Sequence, residues 1–251
     1  MNLQSAIDWR SKSKLFVSLA AKPGKTGETF YKILFGHHNI DAEYVACVCT
    51  DLAQDMQLVR RHCAGASITM PFKRTAAHFV DTTVSPVTGA ITPINTVVNK
   101  NGILTAYNCD YLGLADVAAQ DFKGLHVVIL GDGAMSENAR LLCKDATITQ
   151  ASRRSNTWHL RNILCNVLIN TTSIGMGTDE SPVDYINAET IIDCVIGNTK
   201  LINSAKSVGA RVISGAEIYK AQFKHQFKCY TNQEPDSAVV DAVAQQLFDY
   251  V

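Results

Sequence analysis

The sequence predicts an α/β protein organised in two units, and three observations point there. Apolar strand segments alternate with helical ones from Lys14 to Thr69, and a second strand series opens at Leu125 and runs into a glycine turn. The 251 residues, 47% hydrophobic and 18% charged, suffice for two modest folded cores. Alternation of strand and helix requires crossover connections, so the first unit is expected to carry a mostly parallel sheet.

The first strand is Lys14 to Ala20, an apolar run followed by the Pro23-Gly24 turn. A helical pattern covers Thr29 to Phe35, and a strand covers Tyr44 to Val48. Asp51 opens a helix that runs to Cys63, and Gly65 to Thr69 forms the next strand. Past Pro86, Ile94 to Val98 and Ile103 to Tyr107 flank Lys100-Asn101-Gly102, the pattern of a hairpin. A helix begins near Tyr111. In the second unit Leu125 to Leu130 is a continuous apolar strand and Ser136 to Lys144 a helix. Further strands lie at Ala146 to Ala151, Val167 to Thr171, Thr190 to Val195 and Ala210 to Ser214. Helical periodicity covers Ile218 to Tyr230 and Ser237 to Tyr250.

Lys plus Arg and Asp plus Glu each number 23, which gives no basic field for nucleic acid and no acidic tail. Met1 to Lys14 is polar and mixed in charge, without the apolar centre of a signal peptide. No run of about 18 apolar residues could span a membrane. The eight cysteines show no C-x-x-C spacing, so they read as reduced core residues of a cytoplasmic protein. The seven histidines form no H-x-E or H-E-x-x-H arrangement, and no metal is expected.

Candidate chemistry concentrates in Ser67-Ile68-Thr69-Met70-Pro71-Phe72-Lys73, Ile94-Asn95-Thr96 and Tyr107-Asn108-Cys109-Asp110. Lysine with aspartate suits removal of a hydroxyl proton, because an ammonium stabilises the developing alkoxide and desolvation brings a lysine toward neutral pKa. Thr69 and Asn95 offer short, uncharged hydrogen-bonding groups for ring hydroxyls. Taken singly, Lys73 reads as a solvated lysine after a Pro-Phe turn and Asp110 as a helix cap.

Gly131-Asp132-Gly133-Ala134-Met135 ends a strand and opens a helix, the context in which backbone N–H groups meet a pyrophosphate in a Rossmann-type unit. Asp132 sets a carboxylate where that dianion must approach. Ser152-Arg153-Arg154-Ser155 follows the next strand, and paired arginines suit a phosphate monoester; the alternative is a solvated basic loop. Only Ser155 to Asn166 separate Arg154 from the strand at Val167, so this unit is trimmed.

In series these motifs resemble the shikimate dehydrogenase family, whose signatures run N-V-T-x-P-F-K, A-V-N-T and N-T-D-G-x-G. Here they read S-I-T-M-P-F-K, P-I-N-T and N-C-D-Y-L-G. The family's G-A-G-G-A stands at Gly131, and Ile169 to Met176 resembles its I-N-x-T-x-x-G-M. Asp193 to Ile196, Thr199 to Ile202 and Ser214-Gly215-Ala216 also match. Pro23 to Lys32 lacks the family's S-x-S pair and the H-N that follows it, as in the divergent shikimate dehydrogenase-like branch.

The resemblance implies an N-terminal α/β substrate domain over 1–108, completed by C-terminal helices in 219–251, and a trimmed Rossmann-type NAD(P)-binding domain over 109–218. It implies an NADP-dependent oxidoreductase, NADP ahead of NAD, acting on a ring hydroxyl or ketone of a cyclic hydroxy acid such as shikimate or quinate. A monomer or homodimer serving aromatic amino acid biosynthesis follows from the same likeness. Lys73 and Asp110 are the implied catalytic pair, and Lys25, Thr26, Thr69, Asn95 and Gln222 the implied substrate contacts. The implied cofactor contacts are Gly131, Gly133, Ala134, Met135, Ser152, Arg153, Arg154, Thr171, Thr172, Met176 and Gly215. Phe223, Phe227 and Tyr230 share one helical face and read as core. The altered Gly131 to Ala134 turn and the trimmed unit keep a second reading open: a relative impaired in catalysis that binds a ligand or partner.

Overall fold

A computed structural model describes residues 1–85 and 93–248. The change of pattern at Pro86 and the end of the last helix at Tyr250 fall outside the described residues. The chain forms two compact units: Met1–Cys109 with Phe223–Leu247, and Asp110–Gln222 with Phe248.

The first unit contains strands Lys14–Ala20 (β1), Ala42–Val48 (β2), Gly65–Ile68 (β3), Thr82–Val84 (β4), Thr96–Lys100 (β5) and Ile103–Tyr107 (β6). They lie side by side in the order β2-β1-β3-β5-β6-β4. β1 is parallel to β2 and β3, and β4 to β6, while the hairpin strand β5 is antiparallel to β3 and β6. Helices Leu3–Trp9 (α1), Thr26–His37 (α2) and Leu52–His62 (α3) accompany this sheet. Asp51 caps α3 as expected, its side chain accepting from Gln54 N at 3.1 Å. α1 was not expected: Asn2 caps it by accepting from Ser5 N at 2.9 Å, and only Leu3 and Ala6 are buried. Two apolar contacts in so short a helix give periodicity little to register. β4 is exposed at every position and so shows no alternation either.

The second unit holds His126–Leu130 (β7), Thr147–Ala151 (β8), Cys165–Asn170 (β9), Ala188–Asp193 (β10) and Arg211–Ile213 (β11). Its helices are Cys109–Ala118 (α4), Ala134–Leu142 (α5), Lys200–Ser207 (α6) and the start of Gly215–Thr231 (α7). All strand pairs are parallel, in the order β11-β10-β9-β7-β8. That order is doubly wound, with a topological switch between β7 and β9. Side-chain alternation covers both faces. Val127, Ile129, Val167 and Ile169 meet Leu114, Ala139 and Ile218, while Val128, Leu130 and Leu168 meet Leu201 and Ala205. Between β8 and β9 a single 3₁₀ turn, Trp158–Asn162, stands where a longer crossover would run, so this Rossmann-type unit is trimmed.

The later residues of α7 and most of Ser237–Phe248 (α8) belong to the first unit. Phe223 stacks on Phe30 at 4.0 Å between ring centroids, Tyr230 lies 4.6 Å from Phe16, and Phe227 is buried. These three are core residues, as their spacing predicts. The eight cysteines are free. Burial pushes Cys47, Cys63 and Cys143 up to about 12, which keeps these thiols protonated and inert. No described helix is long and apolar enough to cross a membrane.

Candidate active site

Ligands of α/β sheets gather beyond the carboxyl ends of the strands at a topological switch. In the first unit that place lies between β1 and β3. Thr69 N donates to Leu19 O at 3.1 Å and Ala21 N to Met70 O at 3.3 Å, which ties the two strand exits together. Ile68 N donates to Asn95 O at 2.8 Å and Ile94 N to Lys73 O at 2.9 Å. The exit of β3 and the approach to β5 therefore bring Thr69, Lys73 and Asn95 into one cluster.

Asn95 is buried, and its Oδ1 accepts from Cys109 N at 2.8 Å and Thr96 Oγ1 at 2.9 Å, which fixes the rotation of the carboxamide. Gln226 extends this chain: its Nε2 donates to Thr96 Oγ1 at 2.8 Å and its Oε1 accepts from the Tyr31 hydroxyl at 2.7 Å. Mutual satisfaction of this kind holds a buried polar group in one geometry. Lys73 is half-buried. Lys25 is exposed at the N-cap of α2 and Thr26 is its half-buried first residue; no side chain caps this helix. A chain of hydroxyls went unassigned in the sequence: Tyr44 donates to Ser67 Oγ at 2.6 Å, and Ser67 and Tyr230 share a bond of 2.8 Å. Ser67 precedes Thr69 by two residues and so shares its strand face, a readable signal. Its tyrosine partners come from distant elements and leave none.

In the second unit Asp110 lies within the first turn of α4, so the helix starts before the expected Tyr111 and Asp110 is not its cap. It is buried, at 5% exposure, where the positive end of the helix favours a carboxylate. Burial first, and the Asp110 charge second, push the Tyr219 hydroxyl up to about 12. Gln222 is buried on α7. Gly113 of α4 meets it backbone to backbone, since an added Cβ would lie 2.6 Å from Gln222 N.

The glycine turn sits at the β7–β9 switch. Gly131 has φ +106°, and a Cβ there would lie 2.7 Å from Thr171 Oγ1, so this position requires glycine. Thr171 N and Oγ1 both donate to Leu130 O, at 3.0 and 2.5 Å, which locks the two strand exits side by side. Gly133 is the N-cap of α5 and no side chain caps that helix, leaving the Ala134 and Met135 end of the dipole uncovered. The Met135 side chain packs on the core. Thr172 is held through N and Oγ1 by Asn170 Oδ1, at 3.1 and 2.7 Å. Asn170 Nδ2 donates in turn to Asp193 at 2.9 Å, which also accepts from Thr199 Oγ1 at 2.6 Å. Burial pushes the Asp193 carboxyl up. Met176 is exposed beyond this loop, and Gly215 opens α7 where the Val195 carbonyl would overlap any added Cβ.

Asp132 has partners inside its own unit. Its Oδ2 accepts from the buried Ser152 Oγ at 2.8 Å and lies 3.6 Å from Arg154 Nε. Ser152 Oγ also accepts from Arg154 N at 3.1 Å, so this hydroxyl organises the turn. The Arg154 side chain is 78% exposed, and ion pairs so exposed are worth about 0–1 kcal/mol, too little to withhold the guanidinium from a second anion. Arg153 lies over Trp158, 5.1 Å from the ring centroid, and the two line a cleft of about 560 Å³ with Arg161 and Lys200. No cluster of His, Cys, Asp and Glu suited to a metal ion occurs among the described residues.

The profile of the shikimate dehydrogenase substrate binding domain matches residues 28–97. The shikimate dehydrogenase (NADP(+)) of Pyrococcus abyssi is 30% identical, over 85% of this chain and 90% of its own. A shikimate dehydrogenase-like protein of Haemophilus influenzae is 29% identical, over 92% of this chain and 96% of its own. Among solved structures, a shikimate 5-dehydrogenase-like protein superposes with a TM-score of 0.82 at 27% identity, over 95% of this chain and 98% of its own.

Proposed function

The chain belongs to the shikimate dehydrogenase family, and we propose that it works as an NADP-dependent oxidoreductase of the shikimate dehydrogenase-like type. Its substrate on this reading is a cyclic hydroxy acid such as shikimate or quinate, reacting at a ring hydroxyl or ketone. The observation that carries the proposal is the turn at the β7–β9 switch: a positive-φ glycine, an uncapped helix start at Gly133, and exposed arginines beyond the neighbouring strand. These residues fit a dinucleotide. Backbone N–H groups of Ala134 and Met135 suit a pyrophosphate, and Arg153 with Arg154 suits the 2′-phosphate that separates NADP from NAD. The NADP(+) in the name of the Pyrococcus relative supports the same choice. Thr171, Thr172, Met176 and Gly215 would hold the nicotinamide end.

When bound, the nicotinamide supplies hydride exchange with the substrate carbon. Lys73 takes the hydroxyl proton in oxidation, returns it in reduction, and stabilises the intervening alkoxide. Asp110 is its partner in that exchange. Thr69, Asn95 and Gln222 orient ring hydroxyls, while Lys25 and Thr26, at the start of α2, meet the carboxylate. Residues 1–108 with the helices of 219–251 serve as the substrate domain, and 109–218 as the NADP-binding domain. Buried, protonated thiols suit a cytoplasmic setting.

Calorimetric titration tests this reading. NADP is expected to bind at least about tenfold more tightly than NAD, the worth of one charge-assisted contact. Asp132→Asn removes a carboxylate from the turn while its amide oxygen still accepts from Ser152, and NADP affinity is expected to rise several-fold. If neither dinucleotide binds at millimolar concentration, the dehydrogenase reading fails. The carboxylate of Asp132 in the turn would then favour a catalytically impaired relative that binds a ligand.

A further inference from the structure

Cys109 and Cys229 stand 120 positions apart in the chain, yet their sulfurs lie 3.9 Å apart and share a hydrogen bond. Both belong to the first unit: Cys109 starts α4, and Cys229 lies in the last turn of α7. One polar network holds them from either side. Asn95 Oδ1 accepts from the Cys109 backbone N–H at 2.8 Å. Gln226, on α7 one turn before Cys229, donates to Thr96 Oγ1 at 2.8 Å and to Asn95 O at 3.4 Å. The thiols therefore face each other from elements already tied together, and their approach is built into the backbone.

The two sulfurs differ in the way a reactive pair requires. Cys109 is fully buried, whereas Cys229 is half-buried, so a small oxidant in solution meets Cys229 first. Burial pushes Cys47, Cys49, Cys63 and Cys143 up to about 12 and Cys165 up to about 11, which leaves them protonated. Cys229 moves the other way. The Cys109 S–H that donates to it holds its thiol below the usual value; burial opposes this, and the Lys228 charge adds to the lowering. The thiolate is the nucleophile in thiol chemistry, so the accessible sulfur is also the activated one. A disulfide needs the sulfurs about 2 Å closer than they stand, a movement that rotation about the two Cα–Cβ bonds covers.

We propose that Cys109 and Cys229 form a reversible oxidation site for hydrogen peroxide, closing to a disulfide that displaces the first turn of α4. The Cys229 thiolate attacks one peroxide oxygen; the O–O bond breaks, the sulfur becomes a sulfenic acid, and the departing hydroxide takes a proton to leave as water. The Cys109 sulfur then attacks the sulfenic sulfur, the S–O bond breaks, and the hydroxyl leaves with the Cys109 proton as a second water. The two thiols have lost two protons and two electrons, and the peroxide has gained them. Closure draws Cys109 toward α7 against its bond to Asn95, and Asp110 is the next residue. Transient disulfides serve redox sensing in reducing compartments. The slowing of turnover expected from closure rests on the hydroxy-acid reading above; the cross-link itself does not.

The reduced protein is treated with equimolar hydrogen peroxide, trapped with N-ethylmaleimide and digested without reductant for mass spectrometry. A peptide pair linked through Cys109 and Cys229 is expected, with the other thiols alkylated and all eight recovered after dithiothreitol. In Cys109→Ser no link forms, and Cys229 is expected to accumulate as a sulfenic acid captured by dimedone; in Cys229→Ser, Cys109 is expected to stay reduced. With NADP and shikimate, oxidation is expected to lower kcat about tenfold, as displacement of a group beside the chemistry does, and dithiothreitol to restore it. Cys229→Ser is expected to keep the reduced rate after peroxide, and Cys229→Ala carries the same expectation should the serine variant fold poorly. Persistence of all eight thiols after peroxide, or a link between other cysteines, overturns the inference. So does a Cys109–Cys229 link that leaves kcat unchanged in a protein that turns over. If the reduced protein shows no turnover, the hydroxy-acid reading falls alone, and the mapped link decides the inference.

Discussion

Lys73→Ala is expected to lower kcat for hydroxy-acid oxidation about a thousandfold, the middle of the range for loss of a general acid–base group. The residue is half-buried, and its carbonyl is fixed by Ile94 N at 2.9 Å, so the side chain starts from a defined place beside Thr69 and Asn95. Truncation leaves those backbone bonds intact. NADP affinity and unfolding midpoint should therefore stay at wild-type values, and the loss should appear in kcat more than in KM. Lys73→Arg is not expected to restore the rate, because a guanidinium does not give up its proton. A Lys73→Ala protein that turns over at the wild-type rate would remove Lys73 from the chemistry.

The largest effect on stability is expected at Gly215. A Cβ at this position would overlap the carbonyl of Val195, and neither partner is a flexible side chain that could move aside. Gly215→Ala must separate the start of α7 from the chain leaving β10, at about 3 kcal/mol or more. In a protein of this size that loss lowers the unfolding midpoint by roughly 10 °C, measurable by calorimetry or circular dichroism. Gly36→Ala is the matched control. It lies in α2 with nothing within 4 Å of an added Cβ, and is expected to keep or raise stability by up to about 1 kcal/mol. Equal behaviour of the two variants would show that Gly215 is not a packing glycine.

The elements that periodicity and caps specify were legible in the chain itself. Lys14–Ala20 carries its apolar run from end to end, and Asp51 announces α3 through the cap it makes. α1 and β4 were not, because a seven-residue helix with two buried positions and a strand with none give hydrophobic pattern little to work on. Taken singly, Asp110 reads as a helix cap, but the helix extends to Cys109 and encloses it. The cluster of Thr69, Lys73 and Asn95 could be anticipated because each lies within a recognisable motif. The partners of Asp132 could not: Ser152 and Arg154 reach it only because β7 and β8 pair in parallel, which turns a charge opposed to phosphate binding into part of a local network. The hydroxyls of Tyr44, Ser67 and Tyr230 meet for the same reason, through tertiary structure alone.

Turnover tests the central claim most directly. The protein is incubated with NADP and either shikimate or quinate, and reduced nicotinamide is followed by its absorbance. The proposed function predicts steady formation of NADPH with at least one of the two acids, much slower reaction with NAD, and a rate about a thousandfold lower for Lys73→Ala. Binding of NADP with no reduced nicotinamide formed from either acid would contradict it.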